Sequence, residues 1–193
     1  MKRILFTFAF FTFLCISSFS LAFDNHRQGF IIGGIGGIAL NNWREQENPA
    51  IEEVYWSGTN FAIHTDFRIG GGFKGDKLML YYWNIVNWFT IKDPGVSDLT
   101  INGISGIGVS YYFKPTARSL YINAGIGSSS WIRGITDVFT ADSSFGLGLM
   151  GGVGYEFARH WSAELGVMYG RASTSDGKPN FIAGTLSIIG IAY

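Results

Sequence analysis

Residues Asn60 to Ile69 read N-F-A-I-H-T-D-F-R-I, an alternation of two chemically opposite sets. Phe61, Ile63, Phe67 and Ile69 fall on one face, with Thr65 the one mild exception; Asn60, Ala62, His64, Asp66 and Arg68 fall on the other. Only a strand sends neighbouring side chains to opposite faces, so this is a β-strand with one oily and one charged side.

The pattern recurs and predicts eight strands: Gly29–Asn41, Gly58–Gly70, Lys77–Ile91, Leu99–Phe113, Leu120–Ser130, Ser143–Phe157, Trp161–Arg171 and Asn180–Tyr193. Each has at least the roughly 9–11 residues that a tilted strand needs to cross a hydrocarbon layer. Strands of a soluble sandwich are shorter, about 5–6 residues. On the sixth, Phe145, Leu147, Leu149, Val153, Tyr155 and Phe157 oppose Ser144, Gly146, Gly148, Gly152, Gly154 and Glu156. On the seventh, Trp161, Ala163, Leu165, Val167 and Tyr169 oppose Ser162, Glu164, Gly166 and Gly170. A face of glycine, serine and a few charges suits a narrow polar lumen better than a solvated outer wall. The first strand is ambiguous by parity and the third is oily on both sides.

The chain opens with a targeting segment. Lys2 and Arg3 precede an apolar run, Ile4–Ile16, too short to span a bilayer as a helix, and Ser20-Leu21-Ala22 offers a small-x-small cleavage site. Residues 1–22 are therefore expected to be a signal peptide and 23–193 the barrel domain. Lipidation at Cys15 is disfavoured by the bulky Phe13-Leu14 before it. The leader holds two of the 14 basic residues and none of the 14 acidic ones, leaving 12 minus 14, a net −2. No basic excess points to nucleic acid. The leader also takes the only cysteine, which excludes disulfides and thiolate metal sites from the mature part. No run of about 20 apolar residues offers a transmembrane helix, and all 27 glycines lie beyond the leader.

The first, third, fifth and seventh connections, Asn42–Ser57, Lys92–Asp98, Trp131–Asp142 and Ala172–Pro179, are mostly longer than Gly71–Asp76, Lys114–Ser119 and Ala158–His160. Short turns on one side and longer loops on the other fit a barrel with both termini in the periplasm. Aromatics near strand ends, among them Trp88, Phe113, Trp161 and Tyr193, fit interfacial girdles.

From Gly146 to Arg171 the chain reads G-L-G-L-M-G-G-V-G-Y-E-F-A-R-H-W-S-A-E-L-G-V-M-Y-G-R. This resembles the penultimate hairpin of the small outer-membrane β-barrel superfamily that includes the OmpA-like, OmpX/Ail-like and Opa-like barrels. The closing I-I-G-I-A-Y resembles that family's C-terminal assembly signal, with Ile189, Ile191 and Tyr193 at alternate positions and Tyr in place of the commoner Phe. The resemblance implies an all-β, eight-stranded antiparallel transmembrane β-barrel, an up-and-down meander in the cell outer membrane. Its implied partners are outer-membrane lipid, lipopolysaccharide and the barrel-assembly machinery. It says little about activity, because one fold hosts many roles.

Four stretches carry residue types that could support chemistry. Gly146-Leu-Gly148-Leu-Met-Gly151 matches a dinucleotide-binding glycine pattern but lies inside a strand, where no helix follows to hold a phosphate. His160-Trp161-Ser162 is similar to the His-x-Ser pair of membrane lipid A deacylases, but it falls at the expected periplasmic turn, where that family has no acyl substrate. His64, Asp66, Arg68, Glu156 and Glu164 point inward and form either an acid–base or conducting cluster or a structural charge network; the structural role is the stronger reading. Trp43, Tyr55 and Trp56 flank an acidic first outer loop and serve either as recognition anchors or as part of the upper girdle. The expected function is a non-enzymatic barrel, without cofactor or metal, that reinforces the membrane or contacts a host or matrix ligand through its outer loops. The alternatives are a narrow OmpW-like channel and, behind it, a lipid A-modifying enzyme.

Overall fold

In the computed structural model the described residues are 26–46, 55–73, 75–93, 96–115, 118–133, 142–173 and 178–193. The expected leader and the acidic centre of the first outer loop lie outside them. Eight strands, β1 (Gly29–Gln46), β2 (Tyr55–Gly72), β3 (Leu78–Asp93), β4 (Val96–Tyr112), β5 (Leu120–Arg133), β6 (Asp142–Ala158), β7 (Trp161–Ser173) and β8 (Asn180–Ala192), form a closed barrel in sequence order. Every pairing is antiparallel, including β1 with β8, which closes the wall. All eight predicted strands are present, and most run further than the periodicity indicated.

The sidedness is inverted relative to a water-soluble barrel. Phe61, Ile63, Ile107 and Leu147 are 80%, 66%, 62% and 61% exposed on the outer wall, while His64, Asp66, Arg68, Glu156 and Glu164 are buried inside. Backbone groups are satisfied by the closed ladder, so no edge is left to pair with another chain.

Two ambiguities resolve physically. In β1, Ile31, Ala39 and Trp43 face inward, but Ile35, of the same parity, is 53% exposed. Its φ of +139°, followed by +154° at Gly36, interrupts the pleat and turns the side chain outward. In β3 both sides are apolar because its inward Tyr81 and Trp83 pack against a buried arginine.

The connections depart from the expected alternation. β3 ends at Asp93 and β4 starts at Val96, so this loop-end connection is shorter than residues 113–119 at the turn end. The ladder runs on to Asp93↔Val96 and consumes the segment expected as loop. At the turn end Asp76, Arg118 and His160 adopt φ of +59°, +61° and +68°, the left-handed conformation that lets a short connection reverse direction.

Candidate functional site

The lumen is filled by three layers. In the central one, Arg68 is fully buried and grips Asp66 with two parallel bonds, Nε to Oδ1 at 2.9 Å and Nη2 to Oδ2 at 2.8 Å. The two residues are i and i+2 on one strand face, which brings their side chains together. Nη2 also donates to Glu164 on β7, at 2.8 and 3.0 Å. Trp83 Nε1 donates to Asp66 Oδ2 at 2.9 Å, and Tyr121 Oη donates to Glu164 Oε2 at 2.8 Å. The guanidinium carbon lies 4.4 Å from the Trp83 ring centre and 5.4 Å from that of Tyr81. Each carboxylate thus accepts bonds on both oxygens, the condition under which a buried charge is tolerated.

Glu156 belongs to a different layer. Expected beside the other charges, it lies near the turn end and takes Arg27 Nε and Nη2 on Oε2 at 2.9 and 2.6 Å. Tyr193 donates to its other oxygen at 3.1 Å. Arg27 Nη1 donates to the carbonyls of Asp76 and Lys114, and its guanidinium carbon lies 4.0 Å from the Tyr112 ring centre. The expectation of one charge network is corrected accordingly: there are two, linked by the Tyr112–Tyr121 ring contact at 4.7 Å. Beside Arg27, His26 Nδ1 meets Asp76 Oδ2 at 2.8 Å. Burial alone would raise the Asp76 carboxyl, but hydrogen bonds from His26 and Gln28, with Arg27 nearby, hold it below its ordinary value.

His64 joins neither carboxylate pair. Its Nδ1 meets Asn87 Oδ1 at 2.8 Å; Asn87 Nδ2 donates to Asn102 Oδ1, and Asn102 Nδ2 to Asn41 Oδ1. Because Asn87 presents its oxygen, His64 donates from Nδ1, and a one-way chain of amides crosses the barrel. A cavity among His64, Asp66, Trp83, Glu164 and Thr185 leaves about 10 Å³ for the centre of a water molecule, room for about one water.

Toward the loop end an aromatic layer follows. Trp131 sits 5.6 Å from Trp43, 5.8 Å from Phe89 and 6.4 Å from Phe181, ring centre to ring centre. Arg133 lies above it, 3.4 Å from Asp98 and 3.9 Å from Glu45. Trp43, expected as a loop-flanking aromatic, is therefore corrected: β1 continues to Gln46, and the indole turns inward, 5% exposed, donating to Asn60. Trp56 is exposed at the start of β2. Tyr55 opens that strand, but its side chain lies outside the described residues.

Ile189, Ile191 and Tyr193 do share one face, but it is the interior one, and all three are buried. The Tyr193 ring packs 4.4 Å from His160, whose Nδ1 bonds the Ile191 carbonyl at 2.9 Å. Burial lowers the His160 imidazole below its ordinary value; the Ile191 carbonyl opposes this in part, and Arg159 adds to it. His160 thus ties down a turn, and nothing here resembles a base activating Ser162.

Arg27, Tyr121, Trp83 and Tyr81 are site residues that no sequence motif marks. The double-sided apolarity of β3 was a readable sign of the two rings. Arg27 precedes the first strand and gave none.

The fold is that of small outer-membrane barrels. The neisserial surface protein NspA superposes with a TM-score of 0.51 over 84% of this chain and 96% of its own, at 15% identity. The outer membrane protein OprG of Pseudomonas aeruginosa is also similar (TM-score 0.49, 13% identity, 86% and 97% covered). So is Ail, the attachment invasion locus protein of Yersinia pestis, solved with the heparin analogue sucrose octasulfate (TM-score 0.48, 11% identity, 84% and 99% covered). No family model matches the chain, and no curated protein does.

Proposed function

We propose that the chain is a non-enzymatic, non-conducting barrel of the outer membrane, exported by its leader, which braces the membrane and displays its outer loops for recognition. The observation that carries this reading is the stacking of three packed layers in the lumen: Arg27–Glu156, Arg68–Asp66–Glu164 and the Trp131 aromatic cluster. A solute would have to part all three. The outward apolar wall supports a lipid setting, since an exposed apolar surface of this extent is costly in water. Lipid and lipopolysaccharide are the surroundings that such a wall fits, and the assembly machinery would insert it. Recognition of a host or matrix ligand falls to residues 47–54 and the other loop-end connections.

Planar-bilayer recording tests the reading. Purified protein is expected to give no stepwise conductance, whereas steady channel events at neutral pH would establish the narrow-channel alternative instead. Deleting residues 47–54 should abolish ligand capture by whole cells while leaving the folded barrel intact.

A further inference from the structure

The outer wall is not uniform. On β6 to β8 the outward positions Leu147, Leu149, Leu165, Val167, Leu186 and Ile188 form an unbroken apolar surface. On β2 to β5 a polar row crosses the wall. Asn84 pairs with Ser105 and Ser105 with Ser128 in the strand register, and Thr65 is one step away, opposite Val86.

This row lies within the apolar belt, not at its rim. Along β3, Leu80 and Tyr82 stand on one side of Asn84 and Trp88 on the other, all outward. Along β4 and β5, Ile107 and Ile126 flank Ser105 and Ser128 toward the turn end; toward the loop end come Gly103 and Ser130, then Ile101 and Ile132. Within the row Asn84 Nδ2 donates to Ser105 Oγ, and Thr65 Oγ1 accepts from Trp88 Nε1 at 3.1 Å. Ser128 is exposed on the outer wall, and Asn84 and Ser105 are half-buried in it. Acyl chains offer neither donor nor acceptor, so polar groups left bare in hydrocarbon raise the free energy of the folded barrel.

We propose that the Asn84–Ser105–Ser128 row is the contact face for a second copy of this chain in the membrane. The inference rests on the membrane reading above. Carboxamide and hydroxyl groups each donate and accept, and the row carries no charge. Each group can thus bond its like across a contact between two copies, whereas a charged or purely accepting row could not. Small hydroxyl residues also let two walls approach closely enough for hydrogen bonds, the usual device for association in lipid. The opposite, uniformly apolar wall faces lipid.

The only cysteine is at position 15, within the expected leader, so introduced thiols report cleanly. The full chain carrying Ser105→Cys or Ser128→Cys, expressed into the outer membrane of a Gram-negative host and oxidised, is expected to run as a disulfide-linked homodimer. Leu149→Cys and Val167→Cys on the opposite wall should stay monomeric. Asn84→Leu in the Ser128→Cys background should lower the cross-linked fraction roughly three- to tenfold, as loss of a hydrogen bond or two in lipid would, with the heat-modifiable band unchanged. Monomers from all four thiol variants, equal cross-linking on both walls, or a cross-link to a different protein would each overturn the proposal. Failure of the membrane reading is seen separately, as absence of the unsubstituted chain from the heat-modifiable outer-membrane fraction, and would overturn both.

Discussion

The Tyr121 ring occupies the space that a side chain at Gly154 would need. A Cβ built on Gly154 would collide with Tyr121 Cζ and with its hydroxyl oxygen. Glycine is required here by close approach: its bare backbone lets the phenol lie across the lumen and bond Glu164. The same holds at Gly170, where a Cβ would collide with the Phe181 ring. These two lumen glycines are thus the counterparts of lumen rings.

Gly154→Ala is therefore expected to displace Tyr121 and uncouple it from Glu164. Overpacking of this kind costs about 1–3 kcal/mol. Tyr121→Phe, which deletes only the hydroxyl, should lose about 1.5–3 kcal/mol, the range for a bond to a charged group. If the two effects share one cause, the double variant will be less destabilised than the sum, measured by urea unfolding in detergent micelles or lipid vesicles.

Arg68→Ala strands Asp66 and Glu164 without their cation and should cost about 3–5 kcal/mol. A drop in the temperature at which the heat-modifiable band unfolds reports it; an unchanged transition would refute a buried pair. Arg68→Met with Asp66→Asn and Glu164→Gln removes all three charges together and should recover much of the loss.

Trp131→Ala empties the centre of the aromatic layer, a change worth about 3–5 kcal/mol in a packed interior. Conductance should nevertheless stay absent, because the Arg68 layer still blocks the lumen. Channel events in this variant alone would show that the inner layers do not seal.

Acid should weaken the turn end in two stages. His160 titrates below its ordinary value of about 6.5, so the unfolded chain takes up this proton first and stability falls as pH drops below that point. Asp76 is also depressed; its contribution is present above the ordinary carboxylate value of about 3.9 and is lost as pH falls through the lower folded one. His160→Asn, whose side chain tolerates the left-handed backbone, should flatten the upper stage of the unfolding midpoint from pH 7 to 5. Asp76→Asn should flatten the lower one.

Strand number and sidedness were readable because a period of two survives any amount of glycine, provided that the other face stays apolar. His64, Asp66 and Arg68 were legible as inward for that reason. Their partners were less so: Glu164 meets Arg68 across 96 residues of chain, and no local pattern distinguishes it from Glu156, which serves another cation. Trp43 reads as loop because Asn42 and Arg44 look like loop, whereas they are the outward positions of a strand that continues to Gln46. Ile35 breaks the parity rule through the backbone angles at Ile35 and Gly36, which composition does not disclose.

Glu156 receives Arg27 on one oxygen and Tyr193 on the other. Arg27 precedes β1 and Tyr193 follows β8, so the two donors stand on opposite sides of the seam where the wall closes. The carboxylate thereby registers closure. A barrel still open at that seam leaves the charge exposed to water, whereas the closed one answers both of its oxygens from the two sides at once. Zipping the last pair of strands and neutralising the charge at the inner mouth are thus a single event.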